Sequence, residues 1–169
     1  MAIPRQPLPG RHVYKALRQL TEEFDDVEVV FSVHKNLKVR EVVCEKLGGF
    51  SQVHLIDPLD YEPFANLMHK AYLIRTDSGG VQEEAPALGK HVLVLRDTTE
   101  RPEAVDAGTV KLIGTDRYVV YNEAKILLTD KEVYNKVNPY GDGKASECVI
   151  QVILYHYGMT DNRSKVFIG

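Results

Sequence analysis

Short apolar runs rich in valine and isoleucine recur along the chain, at Val27–Val33, Val53–Ile56, Ala71–Ile74, Val92–Leu95 and Thr109–Ile113. Stretches with helical patterning separate the first four. Strands joined in this way cannot be hairpins, because each crossover carries the chain back to the end of the sheet where it started. Such strands run parallel, with right-handed connections and helices on both faces. The spacing therefore predicts an α/β fold of the Rossmann-like kind.

The helices are read at about 11–24, 37–47, 61–69, 80–88, 117–128, 131–137 and 143–157. The first places Val13, Leu17, Leu20 and Phe24 on one stripe. Residues 1–10 hold three prolines and a glycine (Met1-Ala2-Ile3-Pro4-Arg5-Gln6-Pro7-Leu8-Pro9-Gly10) and read as an irregular arm. Residues 11–169 read as one domain, since 169 residues at 44% hydrophobic content supply one core. Asn138-Pro139-Tyr140-Gly141-Asp142-Gly143 is a turn whose glycines suit positive φ.

Composition excludes several function classes. Acidic residues number 24 against 21 basic, a net charge of −3 with no basic run, which argues against nucleic acid as a partner. Cys44 and Cys148 lie far apart with no paired spacing, so neither a disulfide framework nor a zinc site is expected; both are read as small core residues within helices. No apolar run reaches the length of a membrane span and no signal-peptide core is present, so the expected location is the cytoplasm. Glu22, Glu23, Asp25 and Asp26 read as a solvated helix end, and Tyr118, Tyr121, Tyr134, Tyr155 and Tyr157 as helix packing. No metal and no cofactor is expected.

The segment with chemistry in it follows the third strand. Asp77-Ser78-Gly79-Gly80 breaks the strand and opens a helix bearing Glu83 and Glu84. Unpaired N–H groups of a first helical turn, together with the helix dipole, favour an anion there. Glycines let a phosphate approach the backbone with no Cβ in the way. Glu84, one turn in, would repel a phosphate and is better suited to ribose hydroxyls, which points to a nucleotide diphosphate. An ordinary βα turn capped by serine fits the same four residues. Val33-His34-Lys35-Asn36 and Arg96–Arg101 follow two other strands, so three informative segments fall at strand carboxyl ends, where such sheets bind ligands.

Longer motifs add to this. Leu55-Ile56-Asp57-Pro58, Phe64, Thr76-Asp77-Ser78-Gly79-Gly80-Val81-Gln82-Glu83-Glu84-Ala85-Pro86 and Arg96-Asp97-Thr98-Thr99-Glu100-Arg101-Pro102-Glu103 occur in that order, followed by Ala107-Gly108-Thr109, Gly114-Thr115-Asp116 and the Asn138–Gly143 turn. Over about residues 15–155 the chain resembles the non-hydrolysing UDP-N-acetylglucosamine 2-epimerases, in their C-terminal half. The resemblance implies one of the two Rossmann-like domains of a GT-B-type fold, facing the other across a cleft. It implies interconversion of UDP-N-acetylglucosamine and UDP-N-acetylmannosamine by elimination of UDP and its re-addition.

By the same resemblance Ser78, Gly79 and Gly80 cradle the diphosphate, Glu84 binds ribose, Arg101 supplies positive charge and Phe64 packs near the uracil. His34 stands where the family has a histidine at a second, regulatory UDP-sugar site; a strand-end histidine tied to a neighbouring backbone group is the other reading. No catalytic residue is assigned, because the family's acid/base carboxylates at C2 belong to the N-terminal domain. His12 reads as a helix-start residue. The resemblance also marks Arg75 as a departure, since the family has an apolar residue there. Expected partners are UDP, UDP-N-acetylglucosamine, and a complementary N-terminal-domain chain or a second copy. The alternatives are the nucleotide-binding subunit of a split GT-B glycosyltransferase and a non-catalytic nucleotide-sugar-binding module.

Overall fold

A computed structural model of the chain describes residues 11–130 and 138–163. Its elements are α1 (Arg11–Glu23), β1 (Val29–Ser32), α2 (Leu37–Leu47), β2 (Val53–Ile56), α3 (Tyr61–Lys70), β3 (Leu73–Thr76), α4 (Gly79–Ala87), β4 (His91–Val94), α5 (Pro102–Asp106), β5 (Val110–Leu112), α6 (Arg117–Thr129) and α7 (Ala145–His156). Every strand pairing is parallel. The α/β class read from the alternation is the observed one.

The pairing divides the strands into two sets. β1 pairs with β2 from Val29↔Val53 to Ser32↔Ile56. β3, β4 and β5 form the other set in that order, with Leu73↔His91 and Val92↔Val110 fixing the register. No ladder joins β1 to β3 among the described residues. Instead, Val27–Val30 and Ala71–Leu73 line a common cavity of about 560 Å³ between the sets. Among the described residues the strands thus form two sets with a seam between them.

α1 spans that seam. Val13, Ala16 and Leu20 pack with Leu93, Leu95, Ile113 and the α6 residues Val120, Tyr121 and Ala124. Tyr14 and Leu17 pack instead with Phe31 within β1 and Val33 just after it, with Val43 and Leu47 of α2, and with Val53 of β2. The helix therefore shows apolar side chains on two adjoining stripes, wider than the one stripe its sequence suggests. The opposite face of the three-stranded set is covered by α3, α4 and α5, where Met68, Ile74, Val81, Ala85, Val92, Val94 and Ala104 form the third cluster.

Local chemistry explains most boundaries. The Asn36 side chain accepts the Lys38 N–H and starts α2, and Asp116 accepts from Tyr118 and Val119 to start α6. Pro102 at the first turn nucleates α5, a short helix that the sequence pattern did not suggest because five residues carry no periodicity. β3 runs two residues later than the apolar run Ala71–Ile74, since Arg75 and Thr76 register against Leu93 and Val94. In the 138–143 turn, Gly141 and Gly143 have φ of 116° and 84°, as their residue type suggests. The 1–10 arm and the 131–137 helix lie outside the described residues.

Several side-chain expectations are corrected. Cys44 is exposed and Cys148 half-buried, so neither is a core residue. Both sit on helices, but on faces the core does not use. Tyr121 is buried, whereas Tyr118, Tyr155 and Tyr157 are exposed; Tyr134 is outside the described residues. Glu23 is not simply solvated, because Lys125 and Tyr121 of α6 both donate to its carboxylate. Arg75, the departure from the family's apolar residue, is nonetheless only 5% exposed.

Candidate functional site

β3 ends at Thr76, and the next few residues build a small anion-ready surface. The buried Thr76 hydroxyl accepts the Ser78 N–H at 2.9 Å, which holds the turn tight. Ser78 precedes α4 with extended backbone (φ −83°, ψ 128°), and its side chain makes no capping hydrogen bond. The hydroxyl is therefore not committed to the helix, unlike the serine of an ordinary cap. The first N–H groups of α4 have no partner within the helix.

Gly79 and Gly80 are not required by the fold. Neither has positive φ. A Cβ at Gly79 would meet nothing within 4 Å, and one at Gly80 would meet only Glu84 Oε1 at 3.8 Å and Ser78 Oγ at 4.0 Å. Glycine inside a helix costs stability relative to alanine. Two glycines that neither conformation nor packing demands leave an open approach to the helix N-terminus, which is the use a ligand would make of them.

That approach forms one side of a pocket of about 350 Å³, lined by Ser32, His34, Pro58, Leu59, Tyr61, Phe64, Ser78, Gly80, Val81 and Glu84. Its two walls come from the two strand sets. β1 and β2 lead into His34 and Pro58, and β3 leads into Ser78. α3 contributes Tyr61 and Phe64. Tyr61 is 71% exposed, an aromatic ring at the rim.

His34 has a defined hydrogen-bonding role. Its Nδ1 accepts the Asn36 N–H at 3.1 Å. A neutral ring accepting through Nδ1 carries its proton on Nε2, leaving that donor for a ligand. It is thus held by a neighbouring backbone group and also exposed on the pocket wall, so the two readings of His34 coexist.

The residues read from the sequence are not all brought together. His34, Phe64, Ser78, Gly80 and Glu84 line one pocket, with Gly79 beside it in the chain. Arg101 does not line it. Its guanidinium donates to the Glu83 carboxylate on the neighbouring face of α4, and to the Glu100 carbonyl at 3.2 Å. The Thr99 hydroxyl accepts the Arg101 N–H and donates to Gln82, tying this loop to α4 as well. Of the other lining residues, Tyr61 was not singled out from the sequence. Proximity to Asp57-Pro58 at a strand end was the available signal for Tyr61.

A second crevice lies at the ends of β4 and β5, lined by His12, Arg96, Asp97, Gly114, Thr115 and Asp116 among others. Among the described residues no cluster of histidine, cysteine and carboxylate side chains is arranged to hold a metal ion. No described helix is long and apolar enough to cross a membrane.

A Rossmann-like chain with this Asp-Ser-Gly-Gly helix start can be compared with known proteins. The profile of the UDP-N-acetylglucosamine 2-epimerase family matches residues 5–154. The chain belongs to the UDP-N-acetylglucosamine 2-epimerase family. It is 52% identical over 165 residues to the UDP-N-acetylglucosamine 2-epimerase of Bacillus subtilis, covering 95% of this chain and 43% of that protein. A crystal structure of a UDP-N-acetylglucosamine 2-epimerase homologue from Listeria monocytogenes superposes with a TM-score of 0.93 at 45% identity, over 100% of this chain and 47% of the other. The S. aureus MnaA–UDP co-structure superposes with a TM-score of 0.88 at 45% identity, over 99% of this chain and 47% of the other. The chain thus spans less than half the length of the epimerases it matches.

Proposed function

We propose that this chain is the UDP-sugar-binding part of a UDP-N-acetylglucosamine 2-epimerase, equivalent to its C-terminal domain, and that it works in the cytoplasm against a complementary N-terminal domain. One observation carries the reading: an α4 N-terminus cleared by Gly79 and Gly80 shares a pocket with an uncommitted Ser78 hydroxyl, with Glu84 and with the free donor of His34. These groups match a nucleotide diphosphate part by part. The first-turn N–H groups and Ser78 take the pyrophosphate. Glu84 accepts from ribose hydroxyls, and Phe64 and Tyr61 offer ring surface to the base. Family membership, and the UDP named with the S. aureus relative, support the choice of UDP.

In this reading the chain's part in the reaction is to hold UDP as negative charge builds on it during cleavage of the sugar C1–oxygen bond. Preorganised donors at a helix N-terminus suit that task. Removal and return of the C2 proton need acid/base groups on either face of the sugar, and those are assigned to the complementary domain. Arg101 joins the nucleotide by exchanging Glu83 for phosphate, since its planar fork can pair with either.

Isothermal titration with UDP tests the reading. Binding by these residues alone is expected to be weak, because in this reading the complementary domain supplies part of the cleft's contacts. A flat titration at millimolar UDP would overturn it.

A further inference from the structure

Gln82 is the polar residue on the buried face of α4, where it lies with Val81, Ala85 and Pro86 and is 0% exposed. An apolar side chain would fill that place without the cost of burying an amide. The amide is satisfied only in part. Its Oε1 accepts from the Thr99 hydroxyl at 2.7 Å, while its Nε2 has no hydrogen-bond partner among the described residues. A buried polar group left half-satisfied calls for a reason, and the bond to Thr99 supplies one.

Thr99 belongs to the segment between β4 and α5, in which Asp97, Thr98 and Glu100 are exposed. Thr99 is partly buried, and its hydroxyl serves two groups at once: it donates to Gln82 and accepts the Arg101 N–H at 3.0 Å. Pro102 opens α5 directly afterwards. The main chain of Arg101 is thereby fastened to the buried face of α4. The guanidinium takes no part in this anchor. It pairs with Glu83 where both side chains are partly exposed, and an ion pair in that setting is weak. The guanidinium can therefore change partner while its main chain stays in place.

We infer that Gln82 and Thr99 are positioning residues for Arg101: they hold its main chain on α4 so that its guanidinium can pass from Glu83 to a diphosphate at the α4 N-terminus. The positioning role rests on the nucleotide reading of the site; the anchor itself does not. A donor whose main chain is already fixed has only side-chain freedom to lose when it meets a phosphate, which favours binding. Loosening the anchor adds main-chain freedom to that loss. Its effect on the ligand must then pass through Arg101 and vanish when Arg101 is removed.

Amide hydrogen exchange on the full chain tests the anchor. In Thr99→Val the Arg101 amide loses its acceptor and should exchange about tenfold faster than in the parent, as a locally opened amide does. Gln82→Met keeps the length of the side chain and removes the bond to Thr99, and should move the same amide in the same direction. Thr99→Ser keeps the hydroxyl and should return the amide to the parent rate. Thr99 lies at a partly exposed position, so its variants carry the test should the Gln82 variant fail to fold.

UDP titration gives the second readout. Thr99→Val should weaken binding by about threefold, the low end of coupling within one hydrogen-bond network, and never by more than Arg101→Ala does. Added to Arg101→Ala, it should weaken binding no further. Thr99→Ser should recover most of the affinity lost in Thr99→Val. An Arg101 amide unchanged in every variant would overturn the anchor. Faster exchange with unchanged UDP affinity, or an equal loss of affinity with and without Arg101, would overturn the positioning role and leave the nucleotide reading standing. Faster exchange with no UDP response from any chain would overturn the nucleotide reading, and the positioning role with it.

Discussion

Gly80 separates two meanings a glycine can carry. A glycine kept for a turn or for close packing cannot become alanine without strain, whereas one kept for a ligand can. Gly80 lacks positive φ, and a methyl group there would find nothing nearer than 3.8 Å. Gly80→Ala is therefore expected to fold with a midpoint equal to or above the parent's, since alanine gains roughly 0.5–1 kcal/mol inside a helix. UDP affinity should fall in the same variant. A drop in midpoint without loss of UDP binding would assign Gly80 to packing. Glu84→Ala should weaken UDP binding by about 1–3 kcal/mol, the usual loss for a charge-assisted hydrogen bond. Arg101→Ala should cost less than Glu84→Ala, because Arg101 lies outside the pocket and must first leave Glu83. Titrations of the two variants side by side check that order, and the reverse order would place the nucleotide nearer α5 than α3.

Among the described elements, α1 and α6 form the most extensive helix pair, and a polar clamp closes one end. Lys125 and Tyr121 both donate to Glu23. Those two bonds hold the Glu23 carboxyl below its ordinary value of 4.5, the Lys125 bond first. A carboxylate whose folded pKa is depressed adds stability that is fully present above 4.5 and fades as pH falls through the lowered folded value. Glu23→Gln should thus lower the thermal midpoint near neutral pH, and the gap from the parent should close in acid. Added salt should narrow it as well, because the pair is exposed. Parallel midpoint curves down the acid limb would show that Glu23 is not coupled to α6. The clamp matters beyond α1, since this helix packs against both strand sets and so carries the seam.

For the whole molecule, α7 is the element without a home. None of its twelve residues is buried, and Val149, Ile150, Val152 and Ile153 are each at least half exposed. An apolar helix of this kind normally lies against something. Since the matched epimerases are more than twice as long, a complementary domain is the proposed cover, with a second copy in its absence. Light scattering should show association that Val152→Glu and Ile153→Glu reduce; a monomer at every concentration would count against it. If the acid/base groups belong to the complementary domain, as proposed, these residues alone should not exchange the C2 hydrogen of UDP-N-acetylglucosamine for deuterium, because that step is worth about 10²–10⁴-fold by itself. Exchange seen by NMR in heavy water would put an acid/base group in this chain, with His34 and His12 the first to replace.

The α/β class, most of the element order and the helix start at Asp77–Gly80 are legible in the residues alone. These are local properties: periodicity, capping residues and glycine placement act within a few positions of one another. Most of the pocket is legible too, because strand carboxyl ends in a parallel sheet converge in space whatever the details. How the pieces meet is settled only in three dimensions. Arg101 and Glu84 read as partners at one ligand, but Glu83 takes the guanidinium on another face of α4. Cys44 looks like a core residue until α2 is seen to turn it outward. Which strands pair could not be read from any one of them, because a ladder belongs to two strands brought together by the packing of the whole domain.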